Sequence, residues 1–230
     1  MKTSYKTADG RALFIIVDLD PAYRPGAINL GFSPSDEGLI KSFPAESPDL
    51  ERIYRNFQRY GEDMFAQRAQ RQPVPWDRAL SAFLSATAGH PINWWLVGSA
   101  ALAVRGVEIA PQDLDLATDG AGAKRLGELL LEYLVEPVID CRQDWISDWW
   151  GRAFLHARVE WVGDVHADVD RPDAADFGPV AASRLESVKW QGWEISVPPL
   201  DLQMQVSQRR GLDERVEKIK QYLARAERRP

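Results

Sequence analysis

The chain is poor in the residues that build several kinds of site. Its one cysteine, Cys141, rules out a disulfide within the chain and fits a reducing cytoplasm. Histidine is nearly as scarce. His90, His156 and His166 are scattered, with no HExxH and no paired spacing, so no zinc site is expected. Ser99 lacks both a nearby histidine and a GxSxG frame, which leaves a hydrolase triad unsupported. No apolar run approaches the roughly 20 residues that span a bilayer. The start, MKTSYKTADG, is polar and unlike a secretory leader. A cytoplasmic protein without a membrane partner is therefore expected. Positive charge is also in deficit: 28 Lys and Arg against 34 Asp and Glu give a formal charge of −6. Broad binding to nucleic acid needs a basic face, so the balance argues against it without excluding a local basic groove. There is no internal repeat and no low-complexity tract.

The remaining composition is that of an ordinary globular protein. The 230 residues, 45% hydrophobic and 27% charged, suffice for one large domain or two small ones. Nine Trp is a high count, but tryptophan more often packs than stacks on a ligand. Residues 1–46 read as β structure, with short apolar runs ALFIIVDLD, AINLGFS and LIKSF between Pro and Gly signals. A helix opens at Ser47-Pro48-Asp49 and runs through Gln70, RQPVP breaks the chain at 71–75, and a second helix covers Trp76 to about Ala88. From Trp94 strands and helices alternate: a strand at 94–97, a short helix at 99–104, a strand at 113–117, a helix at 123–134 and a strand ending at Cys141. One long strand at 151–165 follows, then a loop at 170–179, a hairpin about Gln191-Gly192, a helix from Pro199, and a charged helix ending near Arg228. These shifts suggest an N-terminal β-plus-helix extension, 1–75, and a second domain, 76–230.

The stretch WWLVGSAALAVRGVEIAPQDLDLAT carries most of the functional information. An apolar run ends in Gly98-Ser99, a small-residue helix follows, and Asp113 and Asp115 then alternate with Leu114 and Leu116. Strands disfavour Asp. Period-2 alternation puts both carboxylates on one face and both leucines on the other. Two adjacent acids repel unless a cation joins them, and hard divalent cations such as Mg²⁺ take oxygen ligands and bridge to phosphates. The bland alternative is a surface strand with its polar face in water. Gly98-Ser99 reads equally as a tight turn with a helix N-cap or as a phosphate-binding turn.

The pattern Gly98-Ser99, helix, Asp113-Leu114-Asp115-Leu116 resembles the signature of the nucleotidyltransferase superfamily, over roughly residues 76 to 222. The spacer of residues 100–112 is at the long end of what that signature allows. The resemblance implies an α/β (α+β) fold: a mixed β-sheet core with flanking helices. It also implies transfer of a nucleoside monophosphate from a nucleoside triphosphate to a hydroxyl acceptor, with Mg²⁺ or Mn²⁺ held by the paired acids and the triphosphate by Gly98 and Ser99. A third acid on a neighbouring strand would complete the set and act as base. Glu160, in RVEWV, is the best candidate; its alternative is an exposed strand carboxylate paired with Arg158. Asp164, after Gly163, is the competitor, although the family more often has Asp than Glu at this position. Arg209 or Arg210, the latter foremost, would touch the nucleotide, with Lys189 a weaker candidate; the usual lysine-bearing pattern is missing. Arg215, Lys218 and Lys220 interleave with Asp213, Glu214 and Glu217 as a solvated helix face.

A second Asp-x-Asp, Asp18 and Asp20 in FIIVDLDP, invites comparison with haloacid-dehalogenase-like phosphatases. Ala22 stands where that motif wants Thr or Val, so a strand end entering a proline turn is the better reading. Two other functions remain open: a catalytically silent nucleotide- or protein-binding domain, and a toxin-type transferase that modifies tRNA or protein. The N-terminal extension is where a protein partner would be expected.

Overall fold

The computed structural model describes residues 1–142, 145–167 and 176–226. The fold is mixed α/β, with eight helices and three sheets among the described residues. The chain forms two compact units. One takes residues 1–90, 124–139 and 151–159; the other takes 91–123, 140–150 and 160–230.

In the first unit, β1 (Lys2–Ala8), β2 (Arg11–Asp18), β3 (Ser33–Ser35) and β4 (Gly38–Pro44) form an antiparallel sheet of order β1-β2-β4-β3. The polar N-terminal stretch is thus a strand. It turns at Asp9-Gly10, both at positive φ, the backbone that a two-residue hairpin with the right twist demands. Phe14, Ile15 and Ile16 of β2 are buried. Against them packs α2 (Leu50–Arg68), whose Phe57 ring lies 5.4 Å from that of Phe14. The segment AINLGFS differs from its expected strand: α1 (Arg24–Asn29) occupies its start. Pro25 favours a first helical turn. Gly26 lets the helix approach α2 so closely that a Cβ there would lie 2.2 Å from the Phe65 carbonyl oxygen. The break at 71–75 joins α2 to α3 (Trp76–Thr87).

In the second unit, β5 (Trp94–Val97) runs into α4 (Gly98–Val104) and returns antiparallel as β6 (Leu114–Thr118), with Val97 opposite Asp115. Residues 124–139 belong to the first unit; there helix α5 (Gly120–Leu129) is shorter than the expected 123–134, because Leu134 already opens β7 (Leu134–Asp140). The expected long strand at 151–165 is instead a pair, β8 (Ser147–Leu155) and β9 (Ala157–Val165). The reversal falls on His156 at φ +65°, a left-handed backbone that no Gly or Asn announces. Gln67 donates to the His156 carbonyl at 2.8 Å and holds the turn. The five-stranded sheet has the order β5-β6-β9-β8-β7. After α6 (Pro179–Ala182) come the hairpin β10 (Glu186–Trp190) and β11 (Trp193–Val197), then α7 (Leu200–Arg209) and α8 (Asp213–Ala226). Leu102 of α4, Val107 and Ile219 of α8 share a buried cluster. Of the loop expected at 170–179, residues 170–175 lie outside the described residues, as does Arg228 at the expected end of the last helix. No helix among the described residues is long and apolar enough to cross a membrane.

The first unit also holds a buried charge cluster. Glu136 is 1% exposed and meets Lys41 at 2.6 Å and also Arg152. Removing one partner of such a cluster leaves uncompensated buried charge. Glu136→Ala is therefore expected to cost about 3–5 kcal/mol in urea unfolding; a negligible loss would mean that Lys41 and Arg152 reach water instead.

Candidate active site

Strand β6 is buried on its Leu114 and Leu116 side, while Asp113 and Asp115 on the other side are half-buried. The alternation follows from the pleat. Strand β9 lies beside β6 in the sheet. It buries Val159 and Trp161 and leaves Glu160 half-exposed. One carboxylate oxygen from each of Asp113, Asp115 and Glu160 lies within 4.8 Å of the others. The set contains only hard oxygen donors, the chemistry that suits Mg²⁺ or Mn²⁺. Asp164, the competing acid, is exposed at φ +53° beside Gly120 and is not part of this group.

Gly98 sits against the cluster. Its φ is +64°, and a Cβ would lie 3.0 Å from Asp115 Oδ2, so both backbone angle and space call for glycine. Its carbonyl accepts a hydrogen bond from Gln203 Nε2 of α7 at 3.2 Å. Gly98, Asp115, Glu160 and Arg210 line one cavity of about 250 Å³. Ser99 lines another, of about 630 Å³, together with Arg215 and Lys218. Lys189 lies on β10 opposite Glu194 and lines neither cavity. Arg209 ends α7 next to Arg210 and is likewise absent from both linings.

Three neighbours escaped the sequence reading. Arg215, taken as part of a solvated face, is half-buried. Burial, and then the nearby Arg210, push its guanidinium below the usual range, whereas Asp176, Asp115 and Asp113 pull it back up. Two guanidiniums are thereby held close to one another and to the acids, an arrangement suited to an anion. Asp176, from the irregular segment before α6, is buried and lines the same cavity as Glu160. Burial drives its carboxyl above the ordinary range, against the opposing effects of Arg215, Arg210 and a hydrogen bond with Gln203. Gln203, 2% exposed, ties α7 to the Gly98 turn. No spacing rule connects these three positions to the Asp-x-Asp strand.

The remaining expected elements have local roles. Asp20 accepts from the Ala22 N–H at 2.8 Å, the turn expected at a strand end. His166 pairs with Asp148 at 2.8 Å, and His90 lies 3.4 Å from Arg125. No histidine joins a metal-type cluster among the described residues.

No protein-family model matches the chain, and no curated protein matches it. Among solved structures it is similar to a protein of Thermotoga maritima described, provisionally, as a nucleotidyltransferase. The TM-score is 0.48 and the identity 23%, covering 64% of this chain and 92% of that one. That likeness carries no weight for function, which rests on the residues of the site.

Asp176 gives the site a pH signature. A carboxyl raised by burial binds its proton more tightly folded than unfolded. Its penalty is absent below the ordinary value of 3.8, grows as pH rises, and is complete above the folded value. Asp176→Asn should therefore match the wild type in stability near pH 3 and exceed it at neutral pH (pH values about 3 and 7). Lower stability of the variant at neutral pH would mean that Asp176 is an ionised partner of Arg215.

Proposed function

We propose that this protein is a metal-dependent nucleotidyltransferase, which moves a nucleoside monophosphate from a nucleoside triphosphate to a hydroxyl acceptor. The observation that carries the reading is the meeting of Asp113, Asp115 and Glu160 within 4.8 Å, on neighbouring strands. Together they offer three carboxylate oxygens at one point of the sheet, the ligand set of a hard divalent cation, which favours an enzyme over a silent domain. Asp113, Asp115 and Glu160 would hold the metal, Mg²⁺ or Mn²⁺. Bound there, it would neutralise phosphate charge and polarise the phosphoryl group under attack.

The chain's own groups supply the rest. Backbone and hydroxyl donors at Gly98 and Ser99 take the β- and γ-phosphates. Arg210 and Arg215 offset the charge that builds on departing pyrophosphate. Glu160, where it does not ligate the metal, receives the acceptor's proton. The acceptor oxygen forms its bond to the α-phosphorus as the bond from that phosphorus to the bridging oxygen breaks, and pyrophosphate leaves.

Two outcomes test this. Calorimetry with ATP, GTP, CTP and UTP should show binding that needs Mg²⁺, because bare carboxylates repel the phosphates; equal affinity in EDTA would contradict the metal assignment. Asp113→Asn should abolish transfer of label from a triphosphate while leaving the melting temperature unchanged or raised, since losing one of three like charges relieves repulsion. A large fall in melting temperature would mark Asp113 as a structural, hydrogen-bonded carboxylate.

A further inference from the structure

Gln203 sits on α7 and is 2% exposed. Burying such a side chain is costly unless its polar atoms are satisfied. Its amide nitrogen donates to the Gly98 carbonyl at 3.2 Å, and only the nitrogen can face a carbonyl, because only it carries hydrogens. Leu202 and Val206, on the same helix, are buried in a cluster with Ala181. Apolar packing therefore sets the place of the helix, and the amide is presented to the turn from a fixed frame. All of these residues lie in the second unit.

The bond fixes more than a carbonyl. The peptide between Gly98 and Ser99 is planar and trans, so its C=O and N–H point in opposite directions. With the carbonyl turned to α7, the Ser99 N–H is turned away from α7. Gly98 has no Cβ and stands at φ +64°, so the reversed orientation of this peptide is also within its reach. The turn by itself does not choose between the two. Reversed, the peptide would put a carbonyl oxygen where the N–H now stands, and an oxygen repels a phosphate that a donor attracts. The Ser99 N–H falls in the first turn of α4, where a backbone donor has no partner in its own helix. Ser99 lines a cavity with Arg215, one of the two guanidiniums assigned above to the phosphates.

We propose that Gln203 is a positioning residue for the triphosphate. It acts through the Gly98–Ser99 peptide, holding the carbonyl toward α7 so that the Ser99 N–H stays available to a β- or γ-phosphate oxygen. This rests on the transferase reading and names what keeps one of its phosphate contacts in place.

The test uses the full chain. Gln203→Met keeps the length and burial of the side chain but has no hydrogen to donate. Gln203→Asn keeps the amide but stops one methylene short, and serves if the Met variant fails to fold. Val206→Ala is the control: it loosens the packing of α7 and leaves the bond in place. Affinity for the four triphosphates with Mg²⁺ is read by calorimetry, Mn²⁺ binding by electron paramagnetic resonance, and the Ser99 amide proton by NMR. Both Gln203 variants should weaken triphosphate binding about tenfold or more and leave Mn²⁺ binding unchanged. In transfer assays they should raise the triphosphate KM more than they lower kcat. Added triphosphate should move the Ser99 amide proton downfield in the wild type and in Val206→Ala, but not in the Gln203 variants. Unchanged triphosphate affinity in the Gln203 variants overturns this proposal alone. So does an equal loss in Val206→Ala, which would reduce Gln203 to a packing residue. A parallel loss of Mn²⁺ binding overturns it too, by assigning the bond to the acid cluster. Absence of Mg²⁺-dependent triphosphate binding in the wild type overturns the transferase reading and this proposal with it.

Discussion

Three carboxylates forced together are the constraint around which the second unit is organised. Asp113, Asp115 and Glu160 are half-buried, with oxygens within 4.8 Å of one another. Carboxylates that close repel one another when ionised. Nothing local to a strand would select such an arrangement. It persists because Leu114, Leu116, Val159 and Trp161 are buried on the other side of the same strands, and the period of the pleat leaves the intervening acids no other direction. Apolar burial thus holds the carboxylates where their mutual repulsion makes a divalent cation welcome.

The surroundings of the cluster fit the same logic. Gly98 brings the β5–α4 turn to within a Cβ's reach of Asp115, and Gln203 fixes that turn through its carbonyl. Arg215 and Arg210 stand near the acids although burial and mutual repulsion oppose it. Acids and arginines at such close quarters suit a ligand that carries both a metal and several phosphate oxygens. The fold by itself would not say this, since a mixed α/β sheet hosts many functions.

Legibility in the sequence tracked the range of each constraint. Asp113 and Asp115 could be read because alternation with leucine is local, and Glu160 because the same alternation runs through β9. Gly98 announced its turn as glycines do. Arg215, Asp176 and Gln203 come from a helix, an irregular segment and a second helix, and tertiary packing alone brings them near the acids. The amphipathic pattern of α8 reads the same whether its Arg215 faces water or a site. The reversal at His156 was hidden because no Gly or Asn marks the positive φ taken there, and the turn is held by Gln67 from α2. Helix α1 was hidden by an apolar run whose Gly26 answers to the close approach of α2 rather than to any strand pattern.

The central claim is that the acid cluster is a metal site built from two strands. Titration of the protein with Mn²⁺, followed by electron paramagnetic resonance, addresses it without any substrate. The account predicts a bound Mn²⁺ signal in the wild type that Mg²⁺ displaces, and its loss in both Asp115→Asn and Glu160→Gln. Mn²⁺ binding that is absent from the wild type, or that survives unchanged in both variants, would contradict it.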